Sequence, residues 1–297
     1  MSGASVINEK KETLGFGIWG LAPSYPTNTT TSMEAFKREV DRGYMNQHVV
    51  RTKASEELFE TAKIVKESGG MLWLDALTDF YNSSPWELKP ESEWKDELEQ
   101  LVQELKNRGF WDNVAGFMWD EPDLKPIPWE HFRQHTEYLS KTYKKRLFTV
   151  FSVAGFAPDY LPEFPRPQIT AEATHYLTDI AFDMYGIYKK DEYREVNNRL
   201  KAAVGREDEV RIWHFPVAFE ALCERKDAKY ALDFLNMNYE LLMEEKRPGG
   251  LMLYCWPTWT HEIGLEDMLQ TDKFKEYEER MLQLGRKMIN TPLSYDA

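Results

Sequence analysis

Short apolar runs alternate with longer amphipathic stretches along almost the whole chain. The first run is LGFGIWGLAP from Leu14, and a helix-like SMEAFKREVDRG leads to the second, YMNQHVV from Tyr44. In SEELFETAKIVKESGG the apolar positions Leu58, Ala62 and Val65 recur at helical spacing, and Gly69-Gly70 marks the stop. Strand-like runs then follow as MLWLDAL from Met71, VAGFMWDEPDL from Val114, RLFTVFSVAGF from Arg146, LTDIAFDMYGIY from Leu177, EVRIWHFPVAF from Glu209 and LMLYCWPTW from Leu251. Helix-like sequence separates them, except that a Pro-rich loop and a short helix are expected between the fifth and sixth; FKEYEERMLQLGRKMI closes the chain.

Eight apolar strands alternating with helices predict a parallel sheet whose outer face is covered by helices. Eight such units close into a (β/α)8 TIM barrel, whereas a doubly wound sheet has fewer. The Gly-rich GxGxxG turn of the doubly wound alternative follows none of the strand-like runs. No low-complexity linker divides the sequence, so one barrel domain is expected over residues 1–297, with a short polar extension over about residues 1–13.

Charge narrows the partners. The formal net charge of −13 disfavours phosphate backbones and anionic lipid surfaces, so no nucleic acid and no membrane is expected as a partner. The apolar runs are too short for a transmembrane helix, and the first residues lack the apolar core of a secretion signal. A cytoplasmic protein is expected, or a secreted one if a signal peptide has been removed. Cys223 and Cys255 form neither a disulfide framework nor a metal motif, and HExxH, P-loop and GxSxG signatures are lacking. No metal and no cofactor is therefore expected. Aromatic residues reach 14% of the chain and several fall where strands end, as a site that stacks on sugar rings requires.

Polar residues at strand ends are the candidates for chemistry, because barrel enzymes build their active sites at the carboxyl ends of their strands. Here these residues are Ser24 and Tyr25, Asn46 and His48, Asp75, Asp120 and Glu121, Ser152, Asp183 and Tyr185, His214 and Glu220, and Trp256 and Trp259. Tyr81, Trp86 and Trp73 are further candidates for stacking. The sharpest segment is GFMWDEPDL, in which a buried strand ends in an aromatic, two acids and Pro122. Breaking a glycosidic bond takes one carboxylic acid to protonate the leaving oxygen and a second carboxylate opposite it. A glutamate desolvated beside Trp119 can have its pKa raised for the first role. Asp123 has the competing reading of a helix cap.

The WDEP ending of the fourth strand resembles barrel glycoside hydrolases distantly related to clan A. The resemblance implies that Glu121 is the acid/base, although Asp120 stands where clan A usually has Asn. IAFDMYGIY resembles the sixth strand of such proteins, matching Asp183 and Tyr185, and GGLMLYCWPTW the eighth, matching Trp256 as the floor beneath the sugar. The seventh strand lacks the short motif around the clan's nucleophile. Glu220, six residues beyond His214, is the candidate there, with Asp75 and Asp183 as rivals.

The expectation is a retaining glycosidase acting on a neutral oligo- or polysaccharide, with Glu121 and Glu220 as the catalytic pair. Asp120, Asp183, Tyr185, His214, Trp256, Trp259, Asp75, His48 and Tyr25 would bind the sugar. The alternatives are a barrel that binds carbohydrate without cleaving it and a metal-dependent barrel enzyme.

Overall fold

The computed structural model describes residues 12–25, 28–77, 81–83, 86–160, 166–185, 189–220, 228–259 and 262–293. The side chains of residues 81–83 and 86 lie outside that description, so the expected stacking roles of Tyr81 and Trp86 do too. Its centre is a closed barrel of eight parallel strands. They are β1 (Gly15–Ile18), β2 (Gln47–Arg51), β3 (Met71–Asp75), β4 (Val114–Asp120), β5 (Arg146–Ser152), β6 (Asp179–Asp183), β7 (Arg211–His214) and β8 (Pro248–Leu253). Each pairs with its neighbours in chain order and β8 closes on β1. The (β/α)8 fold expected from the sequence is the fold observed.

The helices form for local reasons and are held by packing. Ser32 caps α1 (Met33–Asp41) by accepting from Ala35 N at 3.1 Å, and Ser55 caps α2 (Glu56–Glu67) by accepting from Leu58 N at 3.2 Å. Their apolar stripes, Phe36 and Val40 on the first and Leu58, Ala62 and Val65 on the second, are buried. Next come α3 (Glu91–Asn107), α4 (Trp129–Tyr143), α5 (Lys190–Val204), α6 (Ala228–Leu242), the single turn α7 (Leu265–Met268) and α8 (Lys275–Met288).

Two expectations are corrected. Among the described residues the fifth strand is followed by turns and no α-helix. Pro158, Pro162, Pro165 and Pro167 crowd that crossover, and each lacks the amide that a helix interior needs. The second run also continues further than YMNQHVV. Since β2 ends at Arg51, Asn46 lies ahead of it and His48 is only its second residue, both toward the end of the barrel opposite the rim.

The interior of the barrel is packed with side chains. Trp73 and Phe148 lie 5.3 Å apart, and Phe148 and Trp213 5.1 Å apart. Glycine makes room for them: a Cβ on Gly15 would sit 2.1 Å from the Trp213 ring, and one on Gly250 2.5 Å from it. Below this layer Arg146 and Trp213 both donate to Asp179, the latter from Nε1 at 2.7 Å. The barrel is therefore plugged, and a ligand has to bind at an end.

Candidate active site

Strand parity decides which side chains reach the barrel mouth. Trp73, Phe148 and Trp213 meet inside, so residues two further along face inward as well. That rule brings Asp75 to the end of β3 and, through the pairing of Met118 with Asp75 and Phe148, Asp120 to the end of β4. Ser152 pairs with Asp183, which places the latter inward at the end of β6. The same rule sends Tyr254, Trp19 and Phe215 inward beyond β8, β1 and β7.

Glu121 follows an inward residue and would point outward if the strand simply continued. Instead its backbone turns left-handed, with φ 45° and ψ 55°, and Pro122 opens a short 3-10 turn behind it. The amide of Glu121 still donates to Val150 O at 2.9 Å, which fixes the turn to β5. The side chain comes back over the mouth and hydrogen-bonds the carboxyl of Asp183. A non-glycine residue at positive φ stores strain of about 1–3 kcal/mol and is concentrated at functional sites.

These residues join into a circuit around the mouth. The ring centroids of Tyr185 and Tyr254 are 5.6 Å apart and nearly parallel. Tyr254 lies 5.0 Å from Trp19, which lies 4.5 Å from Tyr25. Tyr25 returns to the acids by donating its hydroxyl to Asp75 Oδ2 at 3.4 Å. Asp75, Asp120, Glu121 and Asp183, from β3 to β6, complete the loop. One half of the mouth is therefore carboxylic and the other aromatic. Trp259 extends the aromatic half, 6.5 Å from Trp19, with its Nε1 donating to Cys255 Sγ at 3.3 Å.

Burial and mutual repulsion hold protons on the acids. Burial first, then Asp120, pushes Glu121 up to about 7, and Lys125 opposes this only in part. Asp75 is raised to about 6 by burial and then by Asp120, against the amide of Leu77, which donates to it at 3.2 Å. Burial and the neighbouring Glu121 carry Asp183 well above the usual carboxylate range, and burial raises Asp120. Glu121 and Asp183 thus share protons as a pair. The hydroxyl of Tyr185, surrounded by Asp183, Tyr254 and Glu121, and the Trp19 Nε1 are buried without a partner.

Asp123 is buried behind the circuit, where Oδ1 accepts from Ser152 N at 3.1 Å and burial raises its pKa to about 6. This ties the turn after β4 to the end of β5.

Several sequence candidates stand elsewhere. His48 and His214 have outward parity and sit between sheet and helices, His48 edge-on to Phe36 at 5.6 Å and His214 stacked on Tyr193 at 5.5 Å. Burial lowers both to about 4, so each is a neutral ring at ordinary pH. Trp256 is 5% exposed and donates its Nε1 to Thr31, whereas Tyr254 is the residue that packs on Tyr185 and Trp19 at the mouth. Glu220 lies on a two-residue antiparallel ribbon with Ile263 and is ion-paired with Lys273 at 2.5 Å. The exit of β7 carries Phe215, Pro216, Val217 and Ala218, none of them acidic. Trp19 and Tyr254 were not singled out in the sequence, although counting by twos from Gly15 and Gly250 reaches both. Among the described residues no group of three or more His, Cys, Asp or Glu is arranged to hold a metal ion, and no helix is long and apolar enough to cross a membrane.

No protein family and no curated protein matches the sequence. Solved structures do share the fold. One is a candidate alpha-L-fucosidase from Bacteroides thetaiotaomicron, 10% identical at a TM-score of 0.56, with 97% of this chain and 99% of that one covered. A GH113 beta-1,4-mannanase is 13% identical at a TM-score of 0.56, covering 94% and 99%. The GH2 beta-galacturonidase of Eisenbergiella tayi is 9% identical at 0.59, where 93% of this chain spans 52% of the larger enzyme. At such identities the likeness is one of fold, and the protein is a (β/α)8 barrel with a carboxylate-rich mouth.

Proposed function

We propose that the protein hydrolyses glycosidic bonds, with Glu121 as the acid that protonates the leaving oxygen. The observation that carries this reading is the divided mouth. A pyranose has an apolar C–H face that stacks on Trp19, Tyr185 and Tyr254, and a polar edge that meets the acids. Neighbours in fold named as an alpha-L-fucosidase and a beta-1,4-mannanase support the reaction class.

Glu121 has the properties of a general acid. With its pKa raised to about 7 it retains a proton near neutrality and can lose it without great cost. Asp183 hydrogen-bonds to it and positions it. Asp75, bonded to Tyr25 and separated from Glu121 by Asp120, takes the second carboxylate role. Glu220, the strand-seven candidate for a retaining nucleophile, is engaged by Lys273 and has less to support it. Asp120, Tyr185, Tyr25 and Trp259 bind the sugar. The scheme needs no metal and no cofactor.

The test is a panel of aryl glycosides and oligosaccharides run with the parent protein and Glu121→Gln. The variant should lose roughly 10²–10⁴-fold in kcat/KM, the usual contribution of a general acid. In the parent, kcat/KM should fall as pH rises through about 7, where Glu121 gives up its proton. Hydrolysis undiminished in Glu121→Gln would end this assignment. Sugar binding with no hydrolysis in the parent would favour the carbohydrate-binding barrel.

A further inference from the structure

We infer that the sugar held in this mouth carries a protonated amine, as an unacetylated hexosamine does, and that the amine seats on the carboxyls of Asp120 and Asp183, leaving the Glu121 proton for the leaving oxygen. The inference rests on the proposed sugar site and narrows its substrate class.

Charge makes the first argument. Asp75, Asp120, Glu121 and Asp183 act on one another through the mouth, with Asp123 behind them. The cations acting on this group are Lys125 and Arg51. Lys125 donates to the main-chain oxygen of Asp120, and Arg51 acts on Asp75 and Tyr25 at the far flank. Acidic groups therefore outnumber basic ones at the point where a ligand would sit, and burial keeps protons on them for want of cations. A uronic acid would add one more carboxylate to this set, and a neutral sugar would leave the acids protonated, whereas a cation would let them ionise.

The second argument is independent of charge. The Tyr185 hydroxyl is buried without a partner among Asp183, Glu121 and Tyr254. On the opposite arc Trp19 is 5% exposed and its Nε1 also lacks a partner. Unmet polar atoms of this kind at a mouth indicate a ligand with hydroxyls to fill them. Together with the aromatic arc they call for a sugar ring rather than a bare cation, and the acids select which ring. Electron-rich faces on Tyr185, Tyr254 and Trp19 favour a cation as well.

Binding should also move protons. The acids keep theirs because they are buried together, so an ammonium group arriving at Asp120 and Asp183 displaces a proton from that pair to solvent.

Titration calorimetry on the parent protein at pH 7 tests this with glucosamine, galactosamine and mannosamine, their N-acetyl forms, the neutral hexoses and glucuronate. At least one free amine should bind 10-fold or more tightly than its N-acetyl and neutral counterparts. That binding should weaken toward pH 5, and its heat in buffers of different ionisation enthalpy should report proton release. Asp120→Asn, checked for folding by circular dichroism, should reduce the preference to a few-fold. Equal or tighter binding of the neutral or N-acetyl sugars would overturn the inference, as would calcium competing with the amine for the site. The two readings fail separately. Cleavage of neutral glycosides without amine preference keeps the hydrolase and removes the amine. Amine-selective binding without cleavage of any glycoside keeps the amine and removes the hydrolase.

Discussion

At Glu121 the chain adopts a backbone conformation that L residues avoid, in order to bring an acid into contact with another acid. Both choices destabilise the fold, and that expense is characteristic of a site shaped by function. Its size can be read from the difference between the parent and Glu121→Gln. In the folded protein Glu121 titrates near 7, above its ordinary value of 4.5, so folding favours the protonated form. Below pH 4.5 both states hold the proton and the two proteins should be equally stable. As pH rises toward 7 the parent bears the penalty of ionising a buried acid, and Gln, which can donate to Asp183, does not. Denaturant titrations should show the variant gaining about 1–3 kcal/mol between pH 4 and pH 8. A constant difference across that range would mean that Glu121 is not buried among acids. The buried histidines, which shift stability in the opposite direction, cancel in this comparison.

Strands are the scale at which the sequence was partly legible. The apolar runs announced the barrel, and GFMWDEP placed Asp120 and Glu121 at its rim, because an abrupt change from apolar to acidic marks where a buried strand meets solvent. IAFDMY placed Asp183 and Tyr185 in the same way. Parity within the strand was harder to see. His214 follows Trp213, and once the indole fills the interior the histidine must face the helices. The left-handed turn that reverses Glu121 has no signal in the sequence beyond the following proline.

Just past β8, Tyr254 and Trp256 share strand parity but not surroundings: Tyr254 stacks on Tyr185 at the mouth, whereas Trp256 is buried with its Nε1 donating to Thr31. Tyr254→Ala should raise KM or weaken sugar binding with little loss of stability, since it removes part of the aromatic arc. Trp256→Ala should instead cost about 3–5 kcal/mol in denaturant unfolding, as the loss of a buried tryptophan does. Binding impaired only in the Trp256 variant would reverse the two roles.

For the molecule as a whole, the plugged interior confines ligands to the ends, and the mouth is divided across the barrel axis into acids on β3 to β6 and aromatic rings on the turns after β6, β8 and β1. Such a mouth works like a keyed socket. A ring laid against the indole and phenols can enter in one rotational setting, since any other would press hydroxyls onto the aromatic wall and bare carbon onto the carboxyls. The setting has a handedness. In the hydrolysis we propose, the two anomers of a seated ring hold the glycosidic oxygen on opposite sides of the ring plane, and the Glu121 proton would approach from one side only. The 4-nitrophenyl α- and β-glycosides of a sugar that is accepted should therefore differ at least 100-fold in kcat/KM, although they share every other atom. Comparable turnover of both would show that the ring tumbles in the mouth and that the socket has no key.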